Sequence, residues 1–216
     1  MKNQSYHFEV KDLITQFVAA FDDTIINRYD KDREIVDKIA VRYVYAPKQR
    51  VLHDIINKSQ HISVPAVALS ITSVARDENR VFNKIFGSYS TAANFIPAPV
   101  PIDIEIDMSI VTKFQTDMDQ ILSNFIPYNN PYIIISWKVP EQISPHVKEI
   151  RSEVMWSGSV SLDYPAEIEP TAAYRLTADT SFTIKGWLFP EKTETDGPRI
   201  FYVDTNITPV TGLGYI

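Results

Sequence analysis

Ten residues in the middle of the chain do most to limit its fold: Ile102, Ile104, Ile106, Met108 and Ile110 alternate with Asp103, Glu105, Asp107, Ser109 and Val111. A period of two puts the first set on one side of a β-strand and the second on the other. A helix would scatter both sets around its axis. The chain therefore contains a sheet strand with one apolar and one acidic side.

Other segments repeat the strand signal. The stretch 35–45 alternates Ile35, Asp37, Ile39, Val41, Tyr43 and Tyr45 with Val36, Lys38, Ala40, Arg42 and Val44, and reads as one strand with one face buried. Residues 64–75, rich in Val, Ile and Thr, predict another, with Pro65 near its start where a lost donor is tolerated. Residues 132–139 are nearly apolar throughout, which predicts a strand central in its sheet. Residues 154–162 and 180–189 predict two long strands joined by a polar, proline-bearing stretch, with Phe182, Ile184 and Leu188 on one face of the second.

Helical spacing appears three times. Val10, Leu13, Ile14, Phe17, Val18 and Phe21 form one stripe, which ends where Asp22 and Asp23 would oppose the helix dipole. Pro47 suits the first turn of a second helix, whose stripe is Val51, Leu52, Ile55 and Ile56, with Lys58 favouring its negative end. Thr112 and Gln115 form a capping box ahead of Phe114, Met118, Ile121, Leu122 and Phe125, and Pro127 closes that helix. Residues 77–101, with Gly87, Ser88, Ser90, Pro97, Pro99 and Pro101, read as a long loop.

These elements add up to an α/β (α+β) fold: a mixed, mainly antiparallel sheet flanked by two or three helices, with extended loops or arms. Residues 1–190 are expected to make a single α/β domain. Beyond Pro190, Gly197, Pro198, Pro209, Gly212 and Gly214 interrupt a short run at 199–203, so 191–216 reads as a C-terminal arm. At 216 residues the chain can hide roughly 70% of its unfolded surface, enough to need no covalent staples. It has no cysteine, which excludes disulfides and thiolate metal ligands.

Charge narrows the function. A formal net charge of −6, with 21 Lys and Arg scattered among 27 acids, argues against a nucleic-acid binder. Lys2, His7 and Glu9 interrupt the N-terminus, no signal-like apolar stretch follows, and no window nears the ~20 apolar residues of a membrane span. A soluble intracellular product with no membrane partner is expected.

The search for chemistry comes up empty. His7, His53, His61 and His146 form no metal-ligand pair. Asp103, Glu105 and Asp107 share a strand face and could serve a calcium site or an acid/base pair. A row of like charges is more simply a solvated face or a protected edge. The one G-x-G, Gly212 to Gly214, sits at the extreme C-terminus without a following helix, and no G-x-S-x-G elbow occurs. No catalytic, cofactor-binding or metal-binding residue is assigned, and no cofactor is expected.

Two stretches carry a family likeness. One is Ser109-Ile110-Val111-Thr112-Lys113-Phe114, continuing through Asp117-Met118, Gln120-Ile121 and Pro127-Tyr128 to Pro131; the other is Phe182-Thr183-Ile184-Lys185-Gly186-Trp187-Leu188-Phe189-Pro190. Both resemble the tail sheath stabiliser, or tail completion, family of T-even-type contractile-tailed phages. The likeness spans roughly residues 15–190. It departs at the C-terminus, where this chain stops soon after Pro190 and the family's best-known member continues.

The resemblance implies a structural, non-enzymatic protein of the virion, assembled in the host cytoplasm. It implies a homohexameric ring at the head-proximal end of the tail, touching the tail sheath protein, the tail tube or its terminator, and the neck or head-completion proteins. DNA would be passing cargo only. In such a ring Asp103, Glu105 and Asp107 are candidates for a channel-facing acidic row, and Phe201, Tyr202, Val203, Leu213, Tyr215 and Ile216 for a partner interface. The alternatives are a tail-tube terminator or neck adaptor ring, a host-directed binding module acting alone and, more remotely, a metal-dependent small-molecule enzyme built on the acidic strand.

Overall fold

The computed structural model describes residues 7–57, 64–81, 87–89, 94–139, 148–164, 175–190 and 193–194. In chain order these form α1 (Glu9–Ala19), β1 (Ile25–Tyr29), β2 (Ile35–Ala40), β3 (Arg42–Tyr45), α2 (Lys48–Asn57), β4 (Ala66–Arg76) and a 3-10 turn at Glu78–Arg80. Then come β5 (Gly87–Tyr89), β6 (Asn94–Pro97), β7 (Val100–Thr112), α3 (Gln115–Tyr128), β8 (Ile133–Lys138), β9 (Glu149–Trp156), β10 (Ser161–Asp163), β11 (Leu176–Leu188) and β12 (Thr193–Glu194).

The main sheet runs β3-β4-β7-β11-β9-β8, with β10 on β11. Only β3 and β4 are parallel; the other pairs in it are antiparallel. This is the mixed, mainly antiparallel α+β architecture that the sequence predicts. Its axis is the pairing of β7 with β11, continuous from Leu176 opposite Thr112 to Leu188 opposite Val100.

Alternation on β7 decides where the helices go. Ile102, Ile104, Ile106, Met108 and Ile110 are all buried, beside Phe182 and Ile184 of β11 and Val67 and Leu69 of β4. Each such side chain contributes about 1.5–3 kcal/mol on leaving water. Helices α1 and α3 supply the apolar cover. Phe17 of α1 and Phe125 of α3 both meet the Phe182 ring, with centroids 5.1 and 5.7 Å away. Phe21, just past α1, lies 5.8 Å from Phe125.

Gly186 sets how closely α1 approaches. It lies on this same face of β11, and a Cβ there would stand 2.9 Å from Leu13 Cδ1 and 3.3 Å from Ile102 Cγ1. Real Cβ atoms do not pack at 2.9 Å, so the absent side chain is what admits Leu13.

Several expectations are corrected. Residues 132–139 do contain a strand, but β8 is an edge of the sheet. Its apolar character has another cause: Ile133, Ile135 and Trp137 face the core while Ile134 is 54% exposed. The single strand expected at 35–45 is broken at Val41, which turns into the core and gives its N–H to Thr24 O. Among the described residues the first half, β2, pairs only with β1 as a separate ribbon, and the second, β3, joins the main sheet. There is no capping box. The N-cap of α3 is Phe114, with no side-chain cap, because Thr112 still belongs to β7 and its hydroxyl donates to Phe114 O. Pro127 sits within the last turn of α3 and does not end it. The loop at 77–101 holds a 3-10 turn and the β5–β6 hairpin, on whose edge β12 pairs.

The strand expected at 154–162 bends at residues 157–160, with Gly158 at φ 81°, so β9 and β10 lie end to end along β11. Side chains fill the gap: Trp156 Nε1–H donates to Thr180 Oγ1, and the Thr180 hydroxyl donates to Ser159 O, both at 2.7 Å.

An ion-pair cluster fastens the turn after β4. Asp77 Oδ1 accepts from the Asn79 N–H, and Oδ2 accepts from Arg80 Nε at 2.5 Å. Arg80 Nη2 donates to Ile102 O and Asp103 Oδ1 and stacks its guanidinium 5.0 Å from the Trp187 ring centre. Lys185 Nζ bridges Asp103 at 2.6 Å and Asp77 at 3.5 Å. The Arg80 hydrogen bond, acting against desolvation, holds the Asp77 carboxyl down to about 2.

Two outcomes follow for measurement. Gly186→Ala should lose about 1–3 kcal/mol in a denaturant titration, because the new methyl overpacks the seam. Combining it with Leu13→Ala should destabilise by less than the sum of the two, since the clash partner is gone. If the two losses simply add, Leu13 is not what the glycine accommodates. The second outcome concerns pH. Unfolded Asp77 titrates near ~3.9, above its folded value, so the unfolded chain takes up its proton first. Its stabilising contribution is complete above about pH 4 and disappears as pH falls toward 2. Asp77→Asn should flatten the stability–pH curve in that window and leave its slope above pH 5 unchanged.

Candidate interaction surfaces

The face of the sheet away from α1 and α3 is polar by register. Asp103, Glu105, Asp107 and Ser109 of β7 lie opposite Lys185, Thr183, Ser181 and Asp179 of β11. Across the other edge they meet Ala75, Ser73, Ser70 and Ala68 of β4. The acidic row read from the sequence therefore does share one face, but its members are not equivalent. Asp103 is neutralised by Arg80 and Lys185. Glu105 accepts a hydrogen bond from the Ser73 hydroxyl at 2.8 Å. Asp107 is exposed and opens onto a cleft of about 560 Å³ lined by Ser70, Ser109, Ser159, Ser161, Asp179 and Ser181 among others.

Helix α2 roofs one end of this face. Val51 is fully buried against Ala68 and Ala46, small residues that let the helix sit close. Lys48 Nζ donates to Asp179 Oδ2 at 2.7 Å and to Thr177 Oγ1 at 3.2 Å. Ser109 Oγ–H donates to the other oxygen of Asp179 at 2.6 Å. A serine beside a carboxylate invites a catalytic reading. Here the carboxylate already holds a lysine and the serine, no imidazole among the described residues lines the cleft, and the triad ties α2 to β7 and β11. Among the described residues no group of His, Asp and Glu is placed to hold a metal ion. His61 and His146 fall outside the described residues.

A surface the sequence reading missed lies on the β1–β2 ribbon, where Ile25, Tyr29, Ile35 and Val36 are exposed, Val36 to 70%. The ribbon is clamped rather than loose. Gln120 of α3 accepts from the Asn27 N–H at 3.0 Å and donates to Asn27 O at 2.8 Å, and Arg28 stacks 5.3 Å over Phe114. The turn-rich run Asp30 to Glu34 between two apolar runs was the signal for a hairpin. The C-terminal candidates Phe201, Tyr202, Val203, Leu213, Tyr215 and Ile216 lie outside the described residues.

Comparison with known proteins fits a chain whose conspicuous features are surfaces. The tail completion protein gp15 of Enterobacteria phage T4 is 25% identical over 122 residues, which cover 55% of this chain and 42% of that protein. Among solved structures, the sheath/tube terminator of an extracellular contractile injection system, PVC, in its extended state aligns with 97% of this chain and 66% of its own, at 13% identity and a TM-score of 0.40. The chain thus spans less than half the length of the phage T4 relative and about two thirds of the injection-system one. The profile of the family described as T4-like virus Myoviridae tail sheath stabiliser matches residues 4–211, and the chain belongs to that family, as a structural protein of the phage tail and not an enzyme.

Proposed function

We propose that copies of this chain close into a six-membered ring at the head-proximal end of a contractile tail, holding the last sheath ring and joining the completed tail to the neck. The family match over residues 4–211 carries this reading. The fold supports it physically. A sheet braced on both faces is stiff, and the exposed ribbon and the β8 edge leave apolar surface for neighbours. The sheath protein, the tube or its terminator, and the neck proteins are the partners this position would require.

Two finer assignments belong to the same reading. Residues 191–216 act as an arm that buries Phe201, Tyr202, Val203, Leu213, Tyr215 and Ile216 on an adjacent subunit or tail protein. The acidic row faces the lumen, where Glu105 and Asp107 supply the repulsion and Asp103, already paired, supplies little. A lumen of that sign releases DNA, since each basic contact adds counterion-driven retention.

Imaging of purified protein mixed with polymerised tails tests the position, and deletion of residues 195–216 tests the arm. The full chain should cap one tail end as a six-fold ring, and the shortened chain should stay folded but cap poorly. A protein that binds along the sheath or not at all, or an armless chain that caps at full strength, overturns the corresponding statement. For the row, Glu105→Lys with Asp107→Lys should slow DNA release at low salt, and raised salt should restore it. Unchanged release places the row away from the channel.

A further inference from the structure

We propose that the aromatic hollow between the C-terminal ends of α1 and α3 receives an arginine or lysine side chain from a protein partner other than a copy of this chain. The inference holds whether or not the chain closes into a ring.

The hollow measures about 340 Å³ and is lined chiefly by Phe21, Asp23, Ile25, Tyr43, Phe125 and Tyr128. That is the small end of the range for ligand pockets, roughly 300–1,000 Å³, with room for one long side chain. Its lining is largely aromatic. Phe21 stacks on Tyr43 with centroids 6.5 Å apart and meets Tyr128 edge-on at 5.7 Å. Tyr128 stands at the mouth, 51% exposed.

Asp22, Asp23 and two helix ends give it a negative character. Asp23 is in the lining. Asp22 adds to the effect of burial in raising the Tyr43 hydroxyl, against a lowering hydrogen bond from Thr24. Both helices end here, Ala20 and Tyr128 being part of the wall, and neither has a basic residue in its last turn. Neither last turn thus supplies a cation to the negative end of its own helix dipole. Among the described residues no Lys, Arg or His lines the hollow. Aromatic faces with a negative rim select a cation that can lie against rings, and a guanidinium does this best.

Other occupants fit less well. A divalent metal needs several oxygen ligands, and the hollow offers one carboxylate among rings. A nucleotide brings phosphates to a negative site. A second copy would have to bring one of its own 21 basic side chains to the hollow, and the sedimentation measurement below separates that case. A basic side chain flanked by apolar ones satisfies both the rim and the exposed Ile25 beside it.

The test uses the full chain and a capped peptide, acetyl-Leu-Arg-Leu-amide, with its citrulline counterpart, which keeps the shape and removes the charge. Nuclear magnetic resonance should show saturable shifts at Asp23, Tyr43 and Tyr128 with the arginine peptide, and binding at least tenfold weaker with citrulline. Asp23→Asn and Tyr128→Ala, both at exposed positions, should each weaken the arginine peptide several-fold while the remaining spectrum keeps its native pattern. Equal binding of the two peptides, shifts elsewhere on the protein, or no binding at tens of millimolar peptide overturns the proposal. So does self-association in sedimentation that Asp23→Asn abolishes, because a second copy would then be the occupant.

Discussion

Everything in this fold leans on the thirteen-residue antiparallel pairing of β7 with β11. Long pairing fixes register, and register fixes which side chains share a face. One face collects isoleucines and Phe182, and α1 and α3 cover it with their apolar stripes. The other collects carboxylates, hydroxyls and Lys185, and α2 docks only where Ala68 leaves room. A slip of one residue would put the acidic row under Phe17 and Phe125, burying carboxylates among apolar rings.

The polar face is kept quiet by mutual pairing. Asp77, Arg80, Asp103 and Lys185 satisfy one another at one end, and Lys48, Asp179 and Ser109 do so further along. Groups engaged in this way hold elements in place and have little freedom to move protons or grip a ligand. A structural role needs such a face: polar enough to meet water or neighbours, and rigid enough to keep one shape.

How much of this could be read from the residues depends on range. Alternation from Ile102 to Met108 was legible because one face is buried and the other is not; Ser109 and Val111, on the second face, are buried as well. At 35–45 the same pattern misled, since Val41 leaves the strand and β2 finds no helix to cover it. At β8 an apolar run suited either a central strand or an edge strand under α1, and only the sheet order separates these. The acidic row was visible as three carboxylates on one face, but its partial neutralisation was not. Lys185 reaches Asp103 across 82 positions and Arg80 across 23, distances at which local periodicity carries no information. The aromatic hollow has the same origin: Asp22 and Asp23 are conspicuous in the sequence, but Tyr43 and Tyr128 reach Phe21 only in the folded chain.

The ribbon shows how an exposed apolar surface can stay ordered within the single chain. Two strands alone are marginal in water, and this pair exposes Ile25, Tyr29, Ile35 and Val36 instead of using them for stability. Gln120 changes the balance. Its amide takes both the N–H and the C=O of Asn27, as a third strand would, and so ties β1 to a helix that is itself seated on β7. The ordering entropy of the apolar residues is thereby met during folding and not at association, which leaves more of their burial free energy for a neighbour. Rigidity of the β7–β11 axis and exposure on the ribbon are then parts of one arrangement, with α3 transmitting the first to the second.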